Sequence, residues 1–119
     1  MQITSETSAW RDLIKQQRRV NQLNQHFVRE YGLTLLELTY LKIIDQVPDI
    51  SSTELADNIG VSLSAVSSKV VRMVDHGLVV MAFSQTDRRV KKLCLTEKGR
   101  EMLTQIKHNR DLTRMDIRI

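Results

Sequence analysis

Residues 53 to 73 read TELADNIGVSLSAVSSKVVRM, two short helical patterns hinged on a single glycine. Two helices that cross at a tight turn make three separate steric demands. They need a small residue where they cross, a turn residue that tolerates left-handed backbone, and apolar side chains at the inward positions of the second helix. Ala56 meets the first, Gly60 the second, and Ile59, Val61, Val66, Val70 and Met73 the third. Few other arrangements satisfy all three at this spacing, so the segment reads as a helix-turn-helix.

The flanks extend that reading. Upstream, Trp10, Leu13, Ile14, Val20, Leu23, Phe27 and Tyr31 recur at helical spacing and predict a long helix over about 6–31, with Gly32 placed to end it. Thr34 and Glu37 stand three apart, as in a capping box, and open a second helix carrying Leu38, Leu41, Ile43 and Ile44 up to Val47-Pro48. Ser51 to Glu54 form a second box, and Ser62 caps a helix over 63–76 that ends at His76-Gly77. From Leu78 the texture changes. LVVMAF is strand-like, SQTD turn-like, and RRVKKLCL a second strand with Leu93 and Leu95 on one face. Thr96-Glu97 starts a last helix with Met102, Leu103 and Ile106, while residues 111–119 fit no period. The expected fold is mostly α with a small β hairpin, in the order α-α-α-α-β-β-α. This is a winged helix-turn-helix with its core over 34–95, within one domain of 119 residues.

Charge adds a position to this outline. The net charge is +4, but residues 1–50 carry six basic and six acidic side chains and balance out. Residues 84–92 hold Arg88, Arg89, Lys91 and Lys92 against Asp87 alone, a local excess of +3. Such a cationic point at a hairpin tip suits a polyanion, although a solvated loop has the same composition. In a winged helix the hairpin tip lies beside the second helix of the motif, where an arginine can enter a narrow minor groove. Asp87 can hold a neighbouring guanidinium in place, and Lys91 and Lys92 can reach phosphates. The outward residues of the second helix are Ser62, Ser64, Ala65, Ser67 and Ser68, with Lys69 and Arg72 further on. Short hydroxyls and an alanine let a backbone lie close to DNA. For Ser62 by itself, capping is the simpler role.

From TELADNIGVSLSAVSSKVVRM through the Asp-Arg-Arg wing to Leu-Thr-Glu-Lys-Gly, and back to LTLLELTYLKII, the chain resembles the MarR family of bacterial transcription regulators. The resemblance covers roughly residues 7–108. It implies a homodimer on a near-palindromic duplex, usually as a repressor, with residues 62–69 in the major groove. It makes Asp87 and Arg89 the wing pair, with Arg89 as the inserted residue. Members of the family usually continue past the fifth helix into a long C-terminal helix that packs with the first to form the dimer. This chain ends about where that helix should begin, so dimerisation is expected to rest on residues 6–31 and the tail over 97–119, or to be weakened. Lys69 stands where relatives often carry an apolar residue, and is expected to turn outward.

Other chemistries have little to rest on. Cys94 is the only cysteine, so no internal disulfide forms and a reducing compartment is expected. Strand alternation sets it opposite Leu93 and Leu95, an inert position. His26, His76 and His108 lie on three elements without metal-site spacing, and no cofactor is expected. No nucleophile–base pair or phosphate loop stands out, so no enzyme activity is expected. MQITSETSAW lacks a basic-then-apolar start and LVVMAF is too short to span a bilayer, so a cytoplasmic protein with no membrane partner is expected. The Trp10–Tyr31 stripe reads as core or dimer seam, with a pocket for a small aromatic effector as the alternative that the resemblance implies. The rival function is a winged-helix module that binds another regulator and not DNA.

Overall fold

The computed structural model describes residues 2–87 and 89–107. Arg88, His108 and the 108–119 part of the expected dimerisation segment lie outside the described residues. The chain divides into two compact units, one ending at Leu36 and the other beginning at Glu37.

In the first unit α1 (Ser5–Tyr31) is started by Thr4, whose Oγ1 accepts from Thr7 N at 3.1 Å. Gly32, at φ 71°, ends it by donating its N–H to Val28 O at 2.9 Å. The stripe seen in the sequence is divided in two. Leu23 and Phe27 are buried, and the Phe27 and Tyr31 rings stand 6.2 Å apart. Trp10, Leu13 and Ile14 are 58%, 62% and 64% exposed, so their period marks a face that the described residues leave uncovered. Asn24, a polar position near that stripe, accepts from Leu35 N through Oδ1 at 2.8 Å and so satisfies an orphan donor at the start of α2 (Leu35–Gln46).

The second unit holds the rest of α2, then α3 (Ser52–Ile59), α4 (Leu63–Asp75), the strands β1 (Val79–Phe83) and β2 (Lys91–Leu95), and α5 (Glu97–Lys107). Ser51 Oγ accepts from Glu54 N at 3.1 Å and caps α3. Gly60, at φ 81°, closes α3 with its N–H on Ala56 O, the left-handed turn that the sequence demanded. Leu55, Ala56, Val66, Val70 and Met73 are buried where α3 and α4 pack. Ile59 and Val61, expected inward, are half-buried at the rim of this contact. Leu38, Tyr40, Leu41, Ile44, Leu93, Leu103 and Ile106 complete the core.

The strands pair antiparallel, Val79 with Leu95 through Phe83 with Lys91. The second strand begins at Lys91, later than the expected Arg88. The physical reason is a turn: Val90 N donates to Asp87 O and Ser84 N to Val90 O, at 3.0 and 2.9 Å. A further pairing escaped the sequence reading. Leu93 N donates to Ile50 O at 2.8 Å and Ser51 bridges Lys92, so the residues before α3 are tied to the edge of the hairpin by an isolated bridge.

Tyr40 is fully buried, and its hydroxyl has no hydrogen-bond partner among the described residues. Burial, and then the charge of Glu37, push that hydroxyl above its ordinary pKa. A raised value in the folded state favours the neutral phenol. Its contribution is therefore present below about pH 10 and is lost as pH rises through the folded value. Tyr40→Phe removes the unpaired hydroxyl and should leave stability unchanged or raise it by up to about 1 kcal/mol at neutral pH. Its advantage over wild type should grow above about pH 10. Thermal melts at neutral and alkaline pH check this, and a variant that melts well below wild type at neutral pH would refute it.

Candidate nucleic-acid interface

Two surfaces make up the site. The first is the start of α4. Ser62 Oγ accepts from Ala65 N at 3.1 Å, which is the capping role the sequence assigned to it. The next turns expose Ser64, Ala65, Ser67 and Ser68, while Val66, Val70 and Met73 face the core. Apart from the exposed Leu63, these turns therefore present only short side chains to an approaching duplex. Lys69 is half-buried, so it lies on the flank of the helix and not on its outermost line. Arg72 is 48% exposed, with its Nε 3.6 Å from the Oε2 of Glu37, a side chain with no exposure at all.

The second surface is the wing. Its tip is a built turn. Ser84 is buried, and its Oγ accepts from Thr86 N and Asp87 N at 3.3 and 3.4 Å. Asp87 Oδ1 accepts from Arg89 N at 3.0 Å, and Arg89 Nε lies 3.4 Å from the same oxygen. An aspartate bonding the backbone two residues on is a common local turn device. Here it also orients the arginine, whose side chain stays 93% exposed. Lys91 Nζ lies 5.9 Å from the ring centre of Phe83, its cross-strand partner, and that ring is 63% exposed. Lys92, read as a phosphate contact, is half-buried, with Nζ 3.9 Å from Asp49 Oδ2.

The two surfaces join. A cleft of about 470 Å³ runs from Ser52 and Thr53 at the start of α3, past Leu63 and Ser67 of α4, to Arg89 and Lys91 of the wing. Ser52 and Thr53 were read from sequence only as part of a cap. Their place in the cleft depends on β2 lying beside them, which a local pattern does not encode. Leu63, 47% exposed, lines the same cleft, and nothing in its local sequence distinguishes it from an ordinary helix-start residue.

Other candidate groups stand apart from this surface. Cys94 is exposed on β2. No group of three or more His, Cys, Asp or Glu side chains suited to a metal occurs among the described residues, and no described helix is long and apolar enough to cross a membrane. Beside Trp10 and Ile14 runs a groove lined by α1 alone, a helix surface and not an enclosed pocket.

A helix-turn-helix whose second helix presents small residues, joined through one cleft to a hairpin tipped with an oriented arginine, defines a winged helix-turn-helix protein. The sequence model of the MarR family matches residues 31–90, just over half of the chain, and the chain belongs to that family. An uncharacterised helix-turn-helix transcriptional regulator of Bacillus cereus is 28% identical over 94 residues, 79% of this chain and 62% of that protein. A helix-turn-helix transcriptional repressor of Mycobacterium tuberculosis is 34% identical over 71 residues, 60% of this chain and 51% of that protein. The chain thus spans between about half and two thirds of the length of these curated relatives. Among solved structures it is similar to AbsC, a MarR family regulator of Streptomyces coelicolor, with TM-score 0.81 and 25% identity, covering 97% of this chain and 81% of that one. It is also similar to the repressor CouR, bound to a 23-mer DNA duplex, with TM-score 0.77 and 29% identity, covering 90% and 78%.

Proposed function

We propose that this MarR family chain is a DNA-binding transcription regulator, acting as a repressor. It binds a pseudo-palindromic duplex as a homodimer, with α4 in the major groove and the wing in the minor groove. The observation that carries this reading is the continuity of the cleft from Ser67 to Arg89. It gives one duplex surface both a close backbone approach and a cation held for groove insertion. CouR, whose structure contains a DNA duplex, supports the same reading. The uncovered Trp10, Leu13 and Ile14 favour a second copy as the partner of α1. Two copies would then meet half-sites about one helical turn apart, roughly 34–36 Å.

The test is binding of the full chain to duplexes selected from a random-sequence pool, titrated at low and moderate salt, with its mass measured in solution. Selected sites should be near-palindromic, and affinity should fall steeply with salt, as expected when several phosphates are neutralised. A folded protein that binds no duplex at low salt would leave the rival protein-interaction module as the better reading.

The outer residues of α4 carry a narrower expectation. Substituting Ser64 or Ala65 should change the preferred base at one or two positions and cost about 1–3 kcal/mol on the original site. Affinity for unrelated duplex should stay near wild type. Selection repeated with each variant reads this out, and an unaltered consensus would take these residues out of the groove.

A further inference from the structure

Among the described residues Glu37 is the one carboxylate in the buried set. It lies in the first turn of α2 beside Leu38, Tyr40 and Leu41, all buried as well. A carboxylate withdrawn from water needs a counter-charge and hydrogen bonds, because its desolvation is otherwise uncompensated. The counter-charge comes from Arg72 on α4, with Nε and Oε2 3.6 Å apart.

The place of Arg72 gives this pair its meaning. Counting back along α4 by one and two turns from Arg72 reaches Ser68 and Ala65, which share its flank and are both exposed. Val66, Val70 and Met73 hold α4 to the core by apolar contact, which sets a distance but is non-directional. The pair of charges adds an attraction that weakens as Arg72 and Glu37 separate, and it acts on the side of the helix and not on its buried face. Slight rotation of α4 about its axis would preserve much of the apolar contact and break the pair.

We propose that Glu37 is a positioning residue for DNA recognition, acting through Arg72 to fix the rotation of α4 and so the angle at which Ala65 and Ser68 meet the duplex. This rests on the DNA-binding reading above. Having no exposed surface, Glu37 cannot touch DNA itself, so any effect of its replacement on sequence discrimination travels through α4.

The experiment uses the full chain, wild type, Glu37→Gln, Arg72→Gln and the double variant. The probes are a duplex selected by the wild type from a random pool and a scrambled duplex of equal length. Thermal melts establish that each variant is folded at the binding temperature. The ratio of the two affinities is the deciding readout, because partial unfolding lowers both affinities together and leaves their ratio unchanged. Glu37→Gln should lower the ratio about tenfold with the salt slope on the selected duplex kept, and the double variant should be no worse than the worse single. A ratio within about twofold of wild type, or single effects that simply add, would overturn the proposal and leave the DNA-binding reading intact. A wild type that selects no duplex would overturn both.

Discussion

Gly99→Ala should lower the melting temperature by about 10 °C or more, a loss of about 2–3 kcal/mol. This glycine lies in the first turn of α5, where its amide donates to Thr96 Oγ1 at 3.1 Å. A Cβ at this position would overlap Leu78 O and stand 3.3 Å from Leu78 C, with Leu95 Cδ2 at 3.5 Å. The first two are backbone atoms and cannot swing away as a side-chain tip does. The carbonyl of Leu78 is also occupied, since it accepts from Thr96 N at 3.0 Å. Relief therefore requires α5 to shift from the strands, loosening Leu95, Leu103 and Ile106 together. Helix propensity alone would favour alanine by nearly 1 kcal/mol, so the two effects have opposite signs and the clash is the larger. Denaturant or thermal unfolding decides between them. An alanine variant as stable as wild type would mean that α5 does not approach Leu78 this closely.

The wing carries the second large effect. Arg89→Ala should weaken duplex binding about tenfold or more at moderate salt and make the salt slope shallower by about 1. Asp87→Ala separates a built turn from a merely cationic loop. Removing an acidic residue makes the tip more positive, and a simple electrostatic loop would then bind DNA more tightly. Here Asp87 Oδ1 accepts from Arg89 N and lies 3.4 Å from Arg89 Nε, so the variant should bind more weakly despite its extra charge. Titrations of both variants on one selected duplex provide the check. Tighter binding by Asp87→Ala would show that charge, and not orientation, governs the wing.

Much of this architecture was legible because it depends on local chemistry. Ser51 and Ser62 cap as their positions suggest, and Gly60 and Gly32 adopt left-handed conformations at helix ends. The hairpin follows from alternation and from the turn residues between its strands. What stayed hidden depends on residues distant in sequence. The pairing of Ile50 and Ser51 with β2 involves two residues, too few to carry a period. Glu37 looks like one half of a capping box, and nothing nearby announces that Arg72, far along the chain, lies against it. Gly99 resembles an ordinary helix interruption until the Leu78 carbonyl is placed beside it. The stripe on α1 illustrates a further limit. Periodicity identifies an apolar face but not what covers it, and Trp10, Leu13 and Ile14 remain exposed. The ion pair between Lys92 and Asp49 is hidden for the same reason, the two belonging to different segments.

Ser51 occupies an unusual place in this arrangement. Its hydroxyl starts α3, while its backbone bridges Lys92 beside the wing. The helix-turn-helix and the hairpin are therefore measured from a common origin, like the two jaws of a caliper that share one beam. Within one copy of the chain, the entry to α3 and the second strand of the hairpin therefore cannot part without breaking the hydrogen bond from Leu93 N to Ile50 O and the bridge at Ser51.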